Sequence, residues 1–156
     1  MGVEDFCRTL RSYQVLGLDT MIFVYHFEDH PVFAPLTEPL FEAIDRGELL
    51  AELSVLLAGE VLTGAKKAAD NEMLLRYGHI FSEFPNLTLH DADMRVMEKM
   101  SDLRVAYSLK IPDAIHLATA LLHGAQAFVT NDAGLRRVNE LDVLVLEDYV
   151  ERRDKC

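Results

Sequence analysis

Short apolar segments alternate with helical segments along almost the whole chain, and this alternation most constrains the fold. Short apolar runs bounded by turn residues are typical of buried strands. They are predicted at residues 15–19, 49–54, 86–90, 127–130 and 142–146. Helical periodicity predicts helices at residues 20–28, 32–46, 55–62, 66–83, 92–109, 112–122 and, more briefly, 132–138. Strands that alternate with helices form parallel sheets covered on both faces. We therefore predict an α/β fold with a central parallel sheet flanked by helices.

The length of 156 residues suits one domain with a substantial core. Residues 15–150 are predicted to form this domain. Residues 1–14 precede the first strand and are predicted to be an N-terminal extension with a short helix at 3–12. No apolar run reaches the length of a membrane span, so we expect a cytoplasmic protein without membrane attachment. The two cysteines, Cys7 and Cys156, form no metal-binding pattern and are predicted to be free thiols.

Four acidic residues occupy positions that an ordinary core does not explain. Asp19 interrupts the apolar run V-L-G-L-D-T-M-I-F-V, and Glu60 lies in the apolar helix segment V-L-L-A-G-E-V-L. Asp113 opens a helix after Pro112, and Asp132 follows the strand A-F-V-T. Ligands of parallel sheets bind beyond the carboxyl ends of the strands, so we expect these acids to meet at that edge.

Four carboxylates repel one another unless a cation lies between them. Oxygen ligands suit a hard cation, and we predict Mg²⁺ or Mn²⁺. Such ions activate water and stabilise charge on a phosphoryl group. The predicted chemistry is metal-assisted hydrolysis of a phosphodiester bond.

Each of the aspartates also has a structural interpretation. Asp19 and Asp132 are suitable helix caps, and Asp113 is a first-turn acid that favours the helix dipole. A cap or a dipole contact does not explain Glu60, which has apolar neighbours on both sides along the chain. The sequence alone leaves both interpretations of the aspartates open.

Three polar residues near these acids have lesser predicted roles. His116 lies one turn after Asp113 and is predicted to be a hydrogen-bonded structural histidine rather than a ligand, because no second histidine stands at ligand spacing. Thr130 and Ser54 either orient Asp132 and Glu60 or only end their strands.

Four segments together resemble the PIN-domain family, including the VapC-type toxins of prokaryotic toxin–antitoxin pairs. They are L-D-T-M-I-F-V-Y at 18–25, S-V-L-L-A-G-E-V-L at 54–62, P-D-A-I-H-L-A-T-A at 112–120 and V-T-N-D at 129–132. The resemblance implies a three-layer PIN-like fold in which Asp19, Glu60, Asp113 and Asp132 are catalytic and bind Mg²⁺ or Mn²⁺. It further implies endonucleolytic cleavage of RNA, a homodimer, and an antitoxin partner. The alternative is a non-catalytic PIN-like module that binds RNA or protein.

Two features depart from the family pattern. The extension precedes the strand that usually opens these proteins, and Met21 replaces a polar residue often found two positions after the first aspartate. Met21 also argues against a haloacid-dehalogenase-like phosphatase, which needs a second aspartate there. The segment G-E-V-L-T-G-A-K at 59–66 only echoes a phosphate-binding loop, because it lies within a predicted helix.

The net charge of −11 opposes binding to RNA, whose phosphates attract cations. A bound metal ion eases this conflict locally. Nine basic side chains are candidates for a phosphate-binding groove. The alternative is that they only form the solvent-exposed faces of their helices. They are Lys66, Lys67, Arg76, Arg95, Lys99, Arg104, Lys110, Arg136 and Arg137.

Overall fold

The computed structural model, which describes residues 2–151, has a five-stranded parallel sheet at its centre. The strands are β1 (Val15–Leu18), β2 (Leu50–Ser54), β3 (Leu87–His90), β4 (Ala127–Thr130) and β5 (Asp142–Val145), in the spatial order β3-β2-β1-β4-β5. The seven α-helices described are α1 (Val3–Leu10), α2 (Thr20–Phe27), α3 (Ala34–Asp45), α4 (Val55–Lys67), α5 (Asn71–Glu83), α6 (Met94–Tyr107) and α7 (Ile111–Leu122). Short 3₁₀ helices follow β4 at Ala133–Arg137 and β5 at Leu146–Tyr149. The predicted three-layer α/β fold is confirmed.

Two hydrophobic clusters lie on opposite faces of the sheet. Successive strand residues point to opposite faces, so Ala127 and Val129 join one cluster while Phe128 joins the other. Helices α1 to α5 contribute to the first cluster, and α6 and α7 to the second. The core is therefore built on both faces, as expected of a sheet covered on each side.

Gly17 allows helix α7 to lie very close to the central strand β1. A Cβ atom built on Gly17 would be 2.5 Å from the Cβ of Ala120 on α7 and 2.8 Å from the ring of Phe128 on β4. These separations are shorter than van der Waals contact, so a larger residue does not fit. The close packing of α7 helps to bring its first turn towards the edge of the sheet.

Helix α1 packs into the main core. Phe6 is fully buried, and its ring centre lies 4.9 Å from that of Tyr149. The division into an extension at 1–14 and a domain at 15–150 stays a prediction. Within residues 2–151 Cys7 forms no disulfide, and Cys156 lies outside the described residues. Among residues 2–151, no helix combines the length and apolar character that crossing a membrane requires.

The predicted single helix at 66–83 is wrong. Helix α4 continues to Lys67, and the chain then turns through Ala69, whose φ of 52° is left-handed. Asp70 begins α5 by accepting a hydrogen bond from the Met73 backbone N–H at 3.0 Å. Both helices bury their apolar sides on the same core, so hydrophobic periodicity alone does not reveal the break.

The long apolar residues of α6 are not all on its buried side. Met94 and Val105 are 70% and 87% exposed, whereas Val96 and Leu103 are buried. Val96 and Leu103, with the partly buried Met97 and Met100, form the side of α6 that faces the core.

Replacement of Gly17 by alanine is expected to lower the free energy of unfolding by about 1–3 kcal/mol, because the new methyl group overpacks the contact with α7. Gly78→Ala is the matched control, since a Cβ there meets nothing within 4 Å. Within helix α5 that change is expected to add roughly 0.5–1 kcal/mol. Urea unfolding of both variants measures the difference; equal stability of the two would contradict the close packing.

Candidate active site

Two of the predicted acids follow neighbouring strands of the sheet. Leu18 pairs with Val129, so the carboxyl ends of β1 and β4 lie side by side. Asp19 directly follows β1, and its backbone N–H donates to the Val129 carbonyl at 2.9 Å. Asp132 comes two residues after β4. The topology thus brings both to the edge where ligands of parallel sheets bind.

The carboxylate of Asp19 is held through both of its oxygens. Oδ1 accepts from the backbone N–H of Thr20 at 2.8 Å, which caps α2. Oδ2 accepts from the hydroxyl of Thr130 at 2.7 Å. Thr130 is fully buried, so it offers Asp19 a fixed donor. The capping interpretation of Asp19 is therefore correct as a local description and does not remove the residue from the edge.

Asp132 is tied to the same threonine by its backbone. Its N–H donates to the Thr130 hydroxyl oxygen at 3.0 Å, while its Oδ1 accepts from the Gly134 backbone N–H at 2.8 Å. The Thr130 hydroxyl therefore accepts a hydrogen bond from the Asp132 backbone and donates its own proton to the Asp19 carboxylate. It orients the carboxylate of Asp19, whereas the sequence had suggested Asp132. One side chain links the two strand-end acids.

Asp113 lies in the first turn of α7, close to both strand-end acids. Burial raises the pKa of its carboxyl group, and the negative charges of Asp19 and Asp132 raise the pKa further. A position in the first turn of a helix favours the charged form. Burial and the repulsion from Asp19 and Asp132 act in the opposite direction, so the charges of these three carboxylates affect one another.

Glu60 reaches the same region from helix α4. Its Oε1 accepts hydrogen bonds from the Thr20 hydroxyl at 2.9 Å and from Nε2 of His116 at 2.6 Å. The hydrogen bond from His116 lowers the pKa of Glu60, and the one from Thr20 lowers it further, against the opposing effect of burial. Thr20 contacts Asp19 through its backbone and Glu60 through its hydroxyl, so it links these two acids.

Ser54 takes the second of its two predicted roles, because it ends β2 and does not orient Glu60. Ser54 accepts a hydrogen bond from the Leu56 backbone N–H at 3.1 Å and so caps α4, and no hydrogen bond of the described residues joins it to Glu60. Thr20 and His116 take the orienting role instead. His116 is indeed a hydrogen-bonded histidine, as predicted. The sequence signals were the position of Thr20 directly after Asp19 and the one-turn spacing of His116 from Asp113.

The donor chemistry of this region fits a hard divalent cation. Within residues 2–151, no three acidic, histidine or cysteine side chains are arranged to coordinate one ion as they stand. The coupled carboxylates of Asp19, Asp113 and Asp132 nevertheless supply only oxygen ligands, which suit Mg²⁺ or Mn²⁺. Their mutual repulsion is what a cation would relieve. The ligand roles of these residues and of Glu60 remain predictions.

Several predicted phosphate contacts are engaged within the protein. Arg104 and Arg137 donate to backbone carbonyls, Arg136 pairs with Asp148, and Lys99 pairs with Glu140. Because these four side chains interact within the protein, fewer basic groups are available to bind the phosphates of a substrate.

Two lysines near the acids are differently placed. Lys67 lines an open groove of about 500 Å³ along α4, together with Glu60 and Thr63. Lys110 precedes α7, and its charge opposes the rise in the pKa of Asp113. Neither side chain makes a hydrogen bond or ion pair with residues 2–151. They are the basic groups best placed to meet an anion at this edge.

In metal-free buffer containing a chelator, Asp113→Asn is expected to stabilise the protein near neutral pH. A carboxyl group whose pKa is raised by folding loses stability as pH rises from its unfolded pKa through its folded pKa. The gain should stay below about 1 kcal/mol, because solvent screens a half-buried group, and it should vanish towards pH 3.8, the ordinary value for aspartate.

Thermal unfolding near pH 7 and near pH 4 checks this expectation. Asp102→Asn, at an exposed position of α6, is the matched control and should change little at either pH. A loss of stability for Asp113→Asn at neutral pH would mean that the acid is not repelled by its neighbours.

Comparison with known proteins agrees with this architecture. The family model for the PIN domain matches residues 17–141. A comparison with curated proteins gives no match. Among solved structures, VapBC2 from Rickettsia felis bound to a promoter DNA fragment has a TM-score of 0.67 at 20% identity, covering 83% of this chain and 97% of that one.

Two further structures are similar. A toxin–antitoxin complex from Klebsiella pneumoniae has a TM-score of 0.64 at 25% identity, covering 85% of this chain and 98% of that one. FitAcB from Neisseria gonorrhoeae has a TM-score of 0.64 at 15% identity, covering 86% and 99%. With most of the chain matched, the resemblance seen in the four sequence segments is confirmed, and the protein belongs to the PIN domain family.

Proposed function

We propose that this protein is a Mg²⁺- or Mn²⁺-dependent endoribonuclease that hydrolyses RNA phosphodiester bonds, and that it is the toxin of a toxin–antitoxin pair. The observation that carries the proposal is the position of Asp19 and Asp132 at the carboxyl ends of β1 and β4, close enough to Asp113 for their charges to raise its pKa. Glu60, joined to Asp19 through Thr20, adds a fourth acid to that edge. Membership of the PIN domain family supports the nuclease assignment.

In this proposal Asp19, Glu60, Asp113 and Asp132 hold the divalent ion. When bound, the ion would activate water and stabilise the charge that develops on the phosphoryl group. The protein contributes orientation, because Thr130 fixes one oxygen of Asp19. One of the carboxylates accepts the proton that the attacking water releases.

Lys67 and Lys110 are proposed to contact RNA phosphates beside the scissile bond. Lys67 shares its groove with Glu60, and Lys110 lies near Asp113. Both positive charges lie at the edge of the sheet that carries the acids. An acidic protein can therefore attract an anionic substrate at this edge while repelling it elsewhere.

The partner assignments rest on similarity. The similar structures from Rickettsia felis and Klebsiella pneumoniae are named as a VapBC complex and a toxin–antitoxin complex. We extend to this chain an antitoxin partner, a homodimer and action in the cytoplasm, where cellular RNA is available. A search of the adjacent reading frame for a small DNA-binding protein tests the pairing.

Asp113→Asn is expected to abolish cleavage of labelled RNA in Mn²⁺, because the ion loses a charged ligand, while the fold is kept. Asp102→Asn should cleave like the wild type, and a chelator should stop both active proteins. Full activity of Asp113→Asn would refute the assigned site. If even the wild type leaves RNA uncut in Mn²⁺ yet binds RNA or a protein partner, the non-catalytic module is the better description.

Lys67→Gln is expected to weaken RNA binding and to lower the slope of log K against log salt by about 0.7, the loss of one single-strand phosphate contact. Lys66→Gln is a closely matched control, because it removes the same charge from the same helix but lies outside the groove. Fluorescence anisotropy at several salt concentrations, with Asp113→Asn as the uncleaving background, gives both slopes. Equal slopes for the two variants would exclude the groove as the path of the RNA.

A further inference from the structure

His116 is a buried polar residue on the side of α7 that packs into the protein. Its side chain is 2% exposed, and its helix neighbours Ala114, Leu117 and Ala118 are buried as well. Placing an imidazole among apolar groups costs free energy unless its nitrogens are hydrogen-bonded. An apolar side chain would fill this position at lower cost, so the contacts of His116 need an explanation.

All hydrogen bonds that the His116 side chain makes within residues 2–151 are directed at the candidate site. Nε2 lies 2.6 Å from Oε1 of Glu60 and 3.1 Å from the Thr20 hydroxyl oxygen. Nδ1 has no partner among the described residues. A carboxylate only accepts hydrogen bonds, so Nε2 carries the proton and donates it to Glu60.

The Glu60 side chain needs such a support. Glu60 is 37% exposed, and its long side chain has several rotamers that solvent would allow. His116 and Thr20 bind the same oxygen from two different helices, α7 and α2, and so restrict that freedom. A glutamate held in one orientation loses less entropy when it binds an ion.

We propose that His116 is a positioning residue, whose Nε2–H fixes the Glu60 carboxylate in the orientation that binds the divalent cation. This inference rests on the proposed function, because it takes Glu60 as a ligand. His116 does not itself touch the ion or the RNA. Its effect passes through one hydrogen bond, and outer-shell partners of this kind change metal affinity by about 10–100-fold when they are replaced.

The test is Mn²⁺ affinity measured by isothermal titration calorimetry on the full chain, without RNA. His116→Leu removes the donor at similar volume and should weaken Mn²⁺ binding by about 10–100-fold. His116→Gln, whose amide nitrogen reaches close to the position of Nε2, should bind nearly like the wild type. His116→Asn, which is too short to reach, should behave like the leucine variant and provides a polar substitute if that variant does not fold.

Thr119→Val is the matched structural control. Thr119 is fully buried on the same helix and donates to the Ile115 carbonyl, away from the acids. This variant is expected to lose stability but to keep its Mn²⁺ affinity. In a Glu60→Ala background, His116→Leu should cause no further loss of affinity, because the residue acts through Glu60.

The outcomes separate this inference from the proposed function. Wild-type Mn²⁺ affinity in both His116→Leu and His116→Asn, or an equal loss in Thr119→Val, overturns the positioning role even if RNA is cleaved. Weaker Mn²⁺ binding by His116→Leu, together with nearly wild-type binding by His116→Gln, supports the positioning role even if the wild type cleaves no RNA. Failure of the wild type to bind Mn²⁺ overturns both the inference and the metal-dependent function.

Discussion

Like charges held together at the edge of the sheet are the constraint on which the rest of the site depends. Asp19, Asp113 and Asp132 come from distant parts of the sequence, and the pKa of Asp113 is raised by its burial and by the other two. Such an arrangement is unfavourable in itself. The arrangement persists because the strand order and the close packing of α7 against Gly17 fix the backbone at this edge. Packing of the hydrophobic core thus offsets the loss of stability that repulsion among the carboxylates causes.

Neutral hydroxyl donors help to organise two of the acids. The hydroxyl of Thr130 serves Asp19, the hydroxyl of Thr20 serves Glu60, and each hydrogen bond orients a carboxylate without neutralising it. A lysine or arginine in the same places would cancel the negative potential that attracts a cation. The hydrogen-bonding groups therefore preserve the charge that the proposed chemistry needs while restricting side-chain motion.

Much of the fold follows from the sequence because strand runs and helix faces are local signals. Asp19 and Asp132 could be placed at one edge because parallel strands end together, and this reasoning needs no side-chain detail. The contact of His116 with Glu60 could not be foreseen, because it joins positions 56 residues apart through side-chain rotamers. The break at Ala69 was missed for another reason: both adjoining helices share one apolar core, and periodicity does not register a turn between them.

If this acidic protein acts on RNA as proposed, it must concentrate its attraction for phosphate at one place. The distribution of its basic side chains indicates how. Arg104 and Arg137 bind backbone carbonyls, and Arg136 pairs with Asp148, so their charges are largely committed to the fold. Lys67 and Lys110 lie beside the acids without such partners in residues 2–151. Two lysines offset little of a net charge of −11. The divalent ion would then be the main local source of positive charge, so that loading the acids with metal and admitting the substrate become one electrostatic event.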